Sequence, residues 1–232
     1  MFFTRFRINT ARRDARALLG SPHRMHGAVT MSFPDTLPRD GDGPRVLWRV
    51  DRDSAAQTLL YIVSPTRPDL TGLVEQAGWP AADGPGWQTY DYGAFLDGLT
   101  AGSVWSFRLT ANPVHSIRRT DDEPTKRTAH LTPRHQQRWL LDRQRASGFS
   151  VVEKSPDRRL LEYGDELQLL VRDKRDLRFA KAAERRTVSL VSVTYDGRLT
   201  VTDPDVLRRT LTQGLGKAKA YGCGLMTLAP VR

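Results

Sequence analysis

Cysteine is nearly absent. Cys223 is the only one in 232 residues, so no disulfide can close within the chain, and a reducing, cytoplasmic setting is the simplest reading. Long apolar runs are missing as well. No stretch approaches the ~18 apolar residues of a membrane span, and Met1-Phe2-Phe3-Thr4-Arg5-Phe6-Arg7 lacks the apolar run of a signal peptide. Lysine is missing from residues 1–98, where 11 Arg face 11 Asp and Glu. Residues 99–232 hold 25 Lys and Arg against 15 Asp and Glu, so the whole net charge of +10 falls in the second half. Such an excess suits a polyanion, because phosphate contacts release counterions and add affinity without reading sequence. A basic, merely solvated surface gives the same charge balance. An apolar fraction of 39% and a charged fraction of 27% exclude a disordered chain. The length suits two small domains.

The alternation of Phe2, Thr4, Phe6 and Ile8 with Phe3, Arg5, Arg7 and Asn9 predicts a strand with one apolar and one largely basic face. Ala11 to Leu19 reads as a helix stopped by Gly20. Ser21 is a good N-cap and Pro22 a good first helical residue. Met25, Val29 and Phe33 then recur on one face of a second helix, ended by Pro34. Val46 to Val50 and Thr58 to Val63 read as strands, Leu70 to Gln76 as a short helix and Trp87 to Tyr92 as a last strand. The order β-α-β-β-α-β is the ferredoxin-like pattern. Gly93, Gly98 and Gly102 mark a boundary, and a second cycle follows. It has strands over Val104–Ala111, Phe149–Val152, Leu167–Val171, Val188–Tyr195 and Leu225–Leu228, and helices over Arg134–Arg145 and Asp203–Leu211. Residues 113–130 read as a mobile connection or hairpin, and Asp196-Gly197 as a turn. The expected fold class is α+β, two tandem ferredoxin-like domains over residues 1–98 and 99–232.

His23 and His26 stand three apart near the predicted helix start, so both imidazoles project from one face. There the helix dipole disfavours imidazolium and attracts phosphate. A neutral histidine beside a phosphodiester is what general acid or base work on RNA requires. Arg24, with Arg5 and Arg7, can supply charge to the phosphate. A plain surface pair of histidines fits the same spacing. As a metal site the pair is weak, since no Cys or carboxylate lies at ligand spacing. No metal and no cofactor are expected.

Between Gly214 and Gly224 stand four glycines, with Lys217 and Lys219 among them. Glycines such as Gly214 and Gly216 let a backbone approach phosphate closely, and lysines neutralise it. A helix stop followed by a turn would use the same glycines. The stretch is not a P-loop, since Gly216-Lys217 is followed by Ala218. It is not a dinucleotide fingerprint either, with Lys219 where the third glycine belongs. Further basic residues, Arg118, Arg119, Lys126, Arg127, Lys154, Arg158, Arg159, Lys174, Arg175, Arg185 and Arg186, also lie in the second half. Several fall at strand ends or in hairpins. From there cations can follow the phosphates of an A-form stem, whose deep groove admits little else. Each pair alone reads as a solvated face.

An ordered set of segments resembles the CasE family of CRISPR-associated endoribonucleases from end to end. It comprises Met1 to Arg7, Pro22-His23-Arg24-Met25-His26, Arg45-Val46-Leu47-Trp48-Arg49, Phe107 to Pro113, Gly148-Phe149, Asp196 to Pro204 and, most specific, Gly214 to Pro230. The resemblance implies metal-independent cleavage of CRISPR repeat RNA at the 3′ base of its stem-loop. The ribose 2′-hydroxyl attacks the adjacent phosphate, leaving a cyclic phosphate and a 5′-hydroxyl. It also implies that the mature guide RNA stays bound and that the protein joins other Cascade subunits. His26 matches the family's catalytic histidine. One turn earlier the family often has tyrosine, and here His23 stands there, so the division of acid and base roles is open. Two alternatives remain: a non-cleaving RNA-stem-binding or scaffold module of the same fold, and a nucleotide-binding enzyme, which the motif mismatches disfavour.

Overall fold

The computed structural model describes residues 1–34, 43–54, 57–79, 84, 86–117, 126–181 and 186–231. Strand β1 (Phe2–Ile8) buries Thr4, Phe6 and Ile8 and exposes Arg5 and Arg7, as the period of two requires. Helices α1 (Arg13–Leu19) and α2 (Pro22–Thr30) follow, then strands β2 (Leu47–Ser54) and β3 (Gln57–Ser64), helix α3 (Thr71–Ala77) and strand β4 (Trp87–Asp91). The sheet order is β2-β3-β1-β4, with every neighbouring pair antiparallel. The helices cover one face: Phe6, Ile8, Leu60 and Ile62 share a core with Met25, Val29 and Leu73. The other face carries Phe3, Arg5 and Tyr61.

Helix α4 (Gly93–Asp97) leads into β5 (Val104–Ala111), β6 (Val114–Ile117), β7 (Lys126–Ala129), α5 (Pro133–Gln144), β8 (Phe149–Val151), β9 (Leu169–Lys181), β10 (Arg186–Val201), α6 (Pro204–Gln213) and β11 (Met226–Pro230). The second sheet runs β11-β5-β10-β8, with β9 also on β10. This is the wiring of the first sheet repeated, so the fold is α+β with tandem ferredoxin-like units. The second strand of the repeat is broken. β8 pairs with β10 at Leu199–Val201 and β9 at Arg186–Gly197, with residues 152–168 looped out between them.

Three sequence expectations change. Asp196-Gly197 is no turn: β10 runs straight through it to Val201. A Cβ at Gly197 would lie 2.3 Å from the Gln168 carbonyl oxygen and 3.0 Å from Phe107, so the glycine serves close backbone approach within the sheet. Residues 93–102 are more than a glycine boundary. They hold α4, whose Leu96 joins Tyr92 and Leu99 in the second core. The strand expected over Leu167–Val171 extends to Lys181 as one arm of a long hairpin. Of the connection or hairpin expected over residues 113–130, the described residues form the β6–β7 hairpin.

The two sheets are packed together. Leu47 and Val63 of the first belong to the same buried cluster as Phe107, Leu109, Trp139 and Phe149 of the second. Between the open sheet faces lies a cleft of about 1200 Å³, lined by residues such as Phe3, Arg5, Tyr61, Arg108 and Arg198. No helix among the described residues is long and apolar enough to cross a membrane.

Candidate active site and nucleic-acid interface

Ser21 starts α2 as the sequence predicts. Its backbone is extended (φ −138°, ψ 106°), its side chain accepts from the Arg24 amide at 3.4 Å, and Pro22 occupies the first turn. The cap fixes the register of the short helix. Met25 and Val29 are pinned into the first core, at 1% and 0% exposure. That anchoring leaves His23 and His26 half-buried beside the buried stripe and Arg24 exposed. Thr30 donates through Oγ1 to the His26 carbonyl at 2.8 Å. The helix ends at Thr30, where the Met31 and Ser32 amides turn back to Gly27 and Val29.

The glycine-rich stretch lies against this helix. A short 3-10 turn, Lys219–Tyr221, packs on both α2 and β2. Gly222 (φ 78°) lets the chain run so close to Trp48 that a Cβ would sit 2.7 Å from its ring. Gly214 (φ 78°) does the same against Leu47 at 2.8 Å. Both demand glycine twice over, for backbone angle and for space. Gly216 abuts Trp139. The glycines are therefore explained by packing: they seat the loop on the protein, and the lysines are what the loop presents.

Lys217 is exposed and makes an isolated bridge to Asn112. Lys219 is half-buried; its ammonium is held below the ordinary lysine range by burial first, then by the positive charges of Arg45 and Lys217. The non-glycine Ala218 between them is left-handed, at φ 62°. Tyr221 meets Phe179 of β9 edge to face, at 4.9 Å between ring centroids. The hairpin formed by β9 and β10 thus leans over the same turn, and β9 also touches α2.

Not every predicted residue gathers here. Lys154 pairs with Asp165, and Arg159 donates to the Lys154 carbonyl at 3.3 Å. Lys154 and Arg158 line the cleft between the open sheet faces, whereas α2 covers the opposite face of the first sheet. Lys126 and Arg127 lie on β7. Arg118, Arg119 and Arg185 fall outside the described residues. The sequence reading did not single out Arg45, which brings a third cation beside Lys217 and Lys219. Its place in the segment Arg45 to Arg49, just before β2, was the available signal. Among the described residues no group of three or more His, Cys, Asp or Glu is arranged to hold a metal ion.

Comparison with known proteins agrees with this architecture. Residues 1–230 match the family described as CRISPR associated protein. The CRISPR-associated endoribonuclease Cse3 of Thermus thermophilus is 30% identical over 233 residues, spanning 99% of this chain and 100% of that protein. Thermus thermophilus Cse3 bound to an RNA representing a pre-cleavage complex superimposes with a TM-score of 0.77 at 27% identity, covering 99% of this chain and 98% of that one. Cas6e from Escherichia coli K-12 shares the fold at a TM-score of 0.64 and 21% identity, each chain fully covered. The match along nearly the full length, with the same doubled ferredoxin-like wiring, means that this chain belongs to the CRISPR-associated protein family that includes the endoribonuclease Cse3.

Proposed function

We propose that the chain is an endoribonuclease that cuts CRISPR repeat RNA at the 3′ base of its stem-loop and keeps the mature guide RNA as a subunit of a cytoplasmic Cascade complex. The observation that carries this reading is the packing of α2 against the Lys219–Tyr221 turn. It brings the helix that carries His23 and His26 together with the lysine-bearing loop, although the two segments lie about 190 residues apart in sequence. One imidazole removes the proton of the ribose 2′-hydroxyl. The freed oxygen attacks the adjacent phosphorus, the P–O5′ bond breaks, and an acid protonates the departing 5′-oxygen. The products are a 2′,3′-cyclic phosphate and a 5′-hydroxyl. His26 is the first candidate for proton transfer, with His23 as its partner. Arg24, Lys217, Lys219 and Arg45 offset the phosphate charge. The basic β9–β10 hairpin, with Lys174 and Arg175, and the β6–β7 hairpin, with Lys126 and Arg127, grip the stem. Gly214 and Gly216 act by seating the lysine loop.

The kinship with Cse3, an endoribonuclease by name, supports the same reading. No step requires a metal ion, so EDTA leaves the rate unchanged; inhibition by EDTA would overturn the metal-independent scheme. The test is incubation of purified protein with synthetic repeat RNA. Shorter products ending in a cyclic phosphate are expected. Shifted but intact RNA would mean a stem-binding module without cleavage.

A further inference from the structure

We propose that Arg52 and Arg175 together hold one phosphate of the bound RNA, at a small polar pocket between β2 and β9 beside the turn that opens α2. The inference rests on the repeat-RNA reading; it extends that reading to Arg52, which the motifs leave unassigned, and gives Arg175 of the gripping hairpin one particular contact.

The pocket has a volume of about 50 Å³. Four arginines line it, Arg52, Arg108, Arg172 and Arg175, against two carboxylates, Asp51 and Asp173, so two positive charges are in excess. The carboxylates are already taken. Asp51 holds Arg49 at 2.6 Å and Arg108 at 3.3 Å, and Asp173 holds Arg172. Arg108 and Arg172 share Asp196 as well, each at 2.6 Å. Arg52 and Arg175 are left over. Among the described residues neither has a carboxylate at ion-pair distance, and Arg52 donates instead to the Leu19 carbonyl, at 3.2 Å.

Two guanidinium groups that line one small pocket, neither with an ion-pair partner of its own among the described residues, repel, and partial loss of water sharpens the cost. The Arg52 guanidinium is held below the usual arginine range by desolvation first and by the charge of Arg175 second. A phosphodiester would reverse both effects, because guanidinium binds phosphate through charge-assisted, bidentate hydrogen bonds. Ser192 and Thr194 also line the pocket.

Position makes the anion an RNA phosphate. Arg52 reaches the last residue of α1, and Gly20 and Ser21 lead from there into the helix of His23 and His26. Arg175 belongs to the hairpin that leans on that helix. A phosphate bridging the two would tie the RNA strand to the catalytic unit and to the gripping hairpin at once. Its effect on the reaction would be one of positioning.

The test uses full-length Arg52→Met, Arg175→Met and double variants with synthetic repeat RNA. Binding is measured against salt, and thermal unfolding verifies the fold. The double variant is expected to bind more weakly, with a salt slope lower by about 1. A set of RNAs, each with a single neutral methylphosphonate, then locates the contact. One linkage should weaken wild-type binding and leave the double variant unaffected. Wild-type affinity and slope in the double variant would overturn this inference alone, as would methylphosphonate losses that add to the mutation at every linkage. Failure of the wild-type protein to bind repeat RNA would overturn the repeat-RNA reading together with it.

Discussion

Arg49 and Asp51, two residues apart on β2, form a bidentate ion pair at 2.6 and 2.9 Å that joins the two ferredoxin-like units. The rest of the guanidinium reaches across to the second unit: Nη1 donates to the carbonyls of Arg108 (2.8 Å) and Leu225 (3.0 Å), and Nη2 to Thr227 Oγ1 (2.9 Å). At 2% exposure Arg49 is among the largest fully enclosed side chains of the protein. Removing one partner of such a pair leaves a buried charge and several acceptors without donors. Arg49→Met is therefore expected to lower unfolding free energy by about 3–5 kcal/mol in urea titrations. A loss below about 1 kcal/mol would show that the interface does not depend on it.

Gly222 is set against Trp48 at a positive φ. Gly222→Ala adds a left-handed penalty to a steric one, so it should destabilise by more than about 1 kcal/mol. It should also weaken repeat-RNA binding, because the lysine loop is displaced with it. Denaturant midpoints and filter binding read the two effects. Wild-type values for both would contradict the seating role of the loop.

Cys223 is 1% exposed, and burial pushes its thiol up to about 12. The thiolate is the reactive form. Iodoacetamide at about pH 8 should leave the folded protein unmodified and label it once it is unfolded by denaturant, as followed by mass spectrometry. Rapid labelling of the native protein would show that the β2–loop contact opens.

His130 stacks on His115 at 4.3 Å and lies 5.9 Å from His135. Burial, first, and then the charges of His115, His135 and Arg143 hold its imidazole below the ordinary range, while Asp142 opposes them. The folded protein thus binds this proton less readily than the unfolded chain. Its contribution is neutral above the ordinary histidine value of about 6.5 and becomes destabilising as pH falls below it, down through the lowered value. His130→Asn should flatten the acid side of the stability curve, read from urea midpoints between about pH 8 and about pH 5. An unchanged acid slope would contradict the assignment.

The parts of the fold carried by local chemistry were legible in the sequence. Ser21-Pro22 and Asp203-Pro204 cap helices where expected, with Asp203 accepting from the Val206 amide at 3.0 Å. The alternation in β1 correctly assigned its buried face. What escaped was decided by tertiary contact. Asp196-Gly197 carries a turn signal, yet the Gln168 backbone needs that glycine inside a strand. Helix α4 is five residues long and flanked by glycines, too short for a periodic signal. The β9 arm carries charge at most positions, so no alternation marks it. In the candidate site, His23, His26, Lys217 and Lys219 were legible as residue types. The approach of the lysine loop to α2 was not, because it depends on Gly222 docking on Trp48. Charge pairing alone could not separate Lys154, bound to Asp165 in the cleft, from Lys219 beside α2.

The measurement that bears most directly on the central claim is single-turnover cleavage of repeat RNA by His26→Ala, with affinity measured on the same preparation. General acid–base catalysis contributes about 10²–10⁴-fold, so the rate should fall by that order while the dissociation constant stays close to wild type. Cleavage by His26→Ala at the wild-type rate would remove α2 from the chemistry and contradict the account.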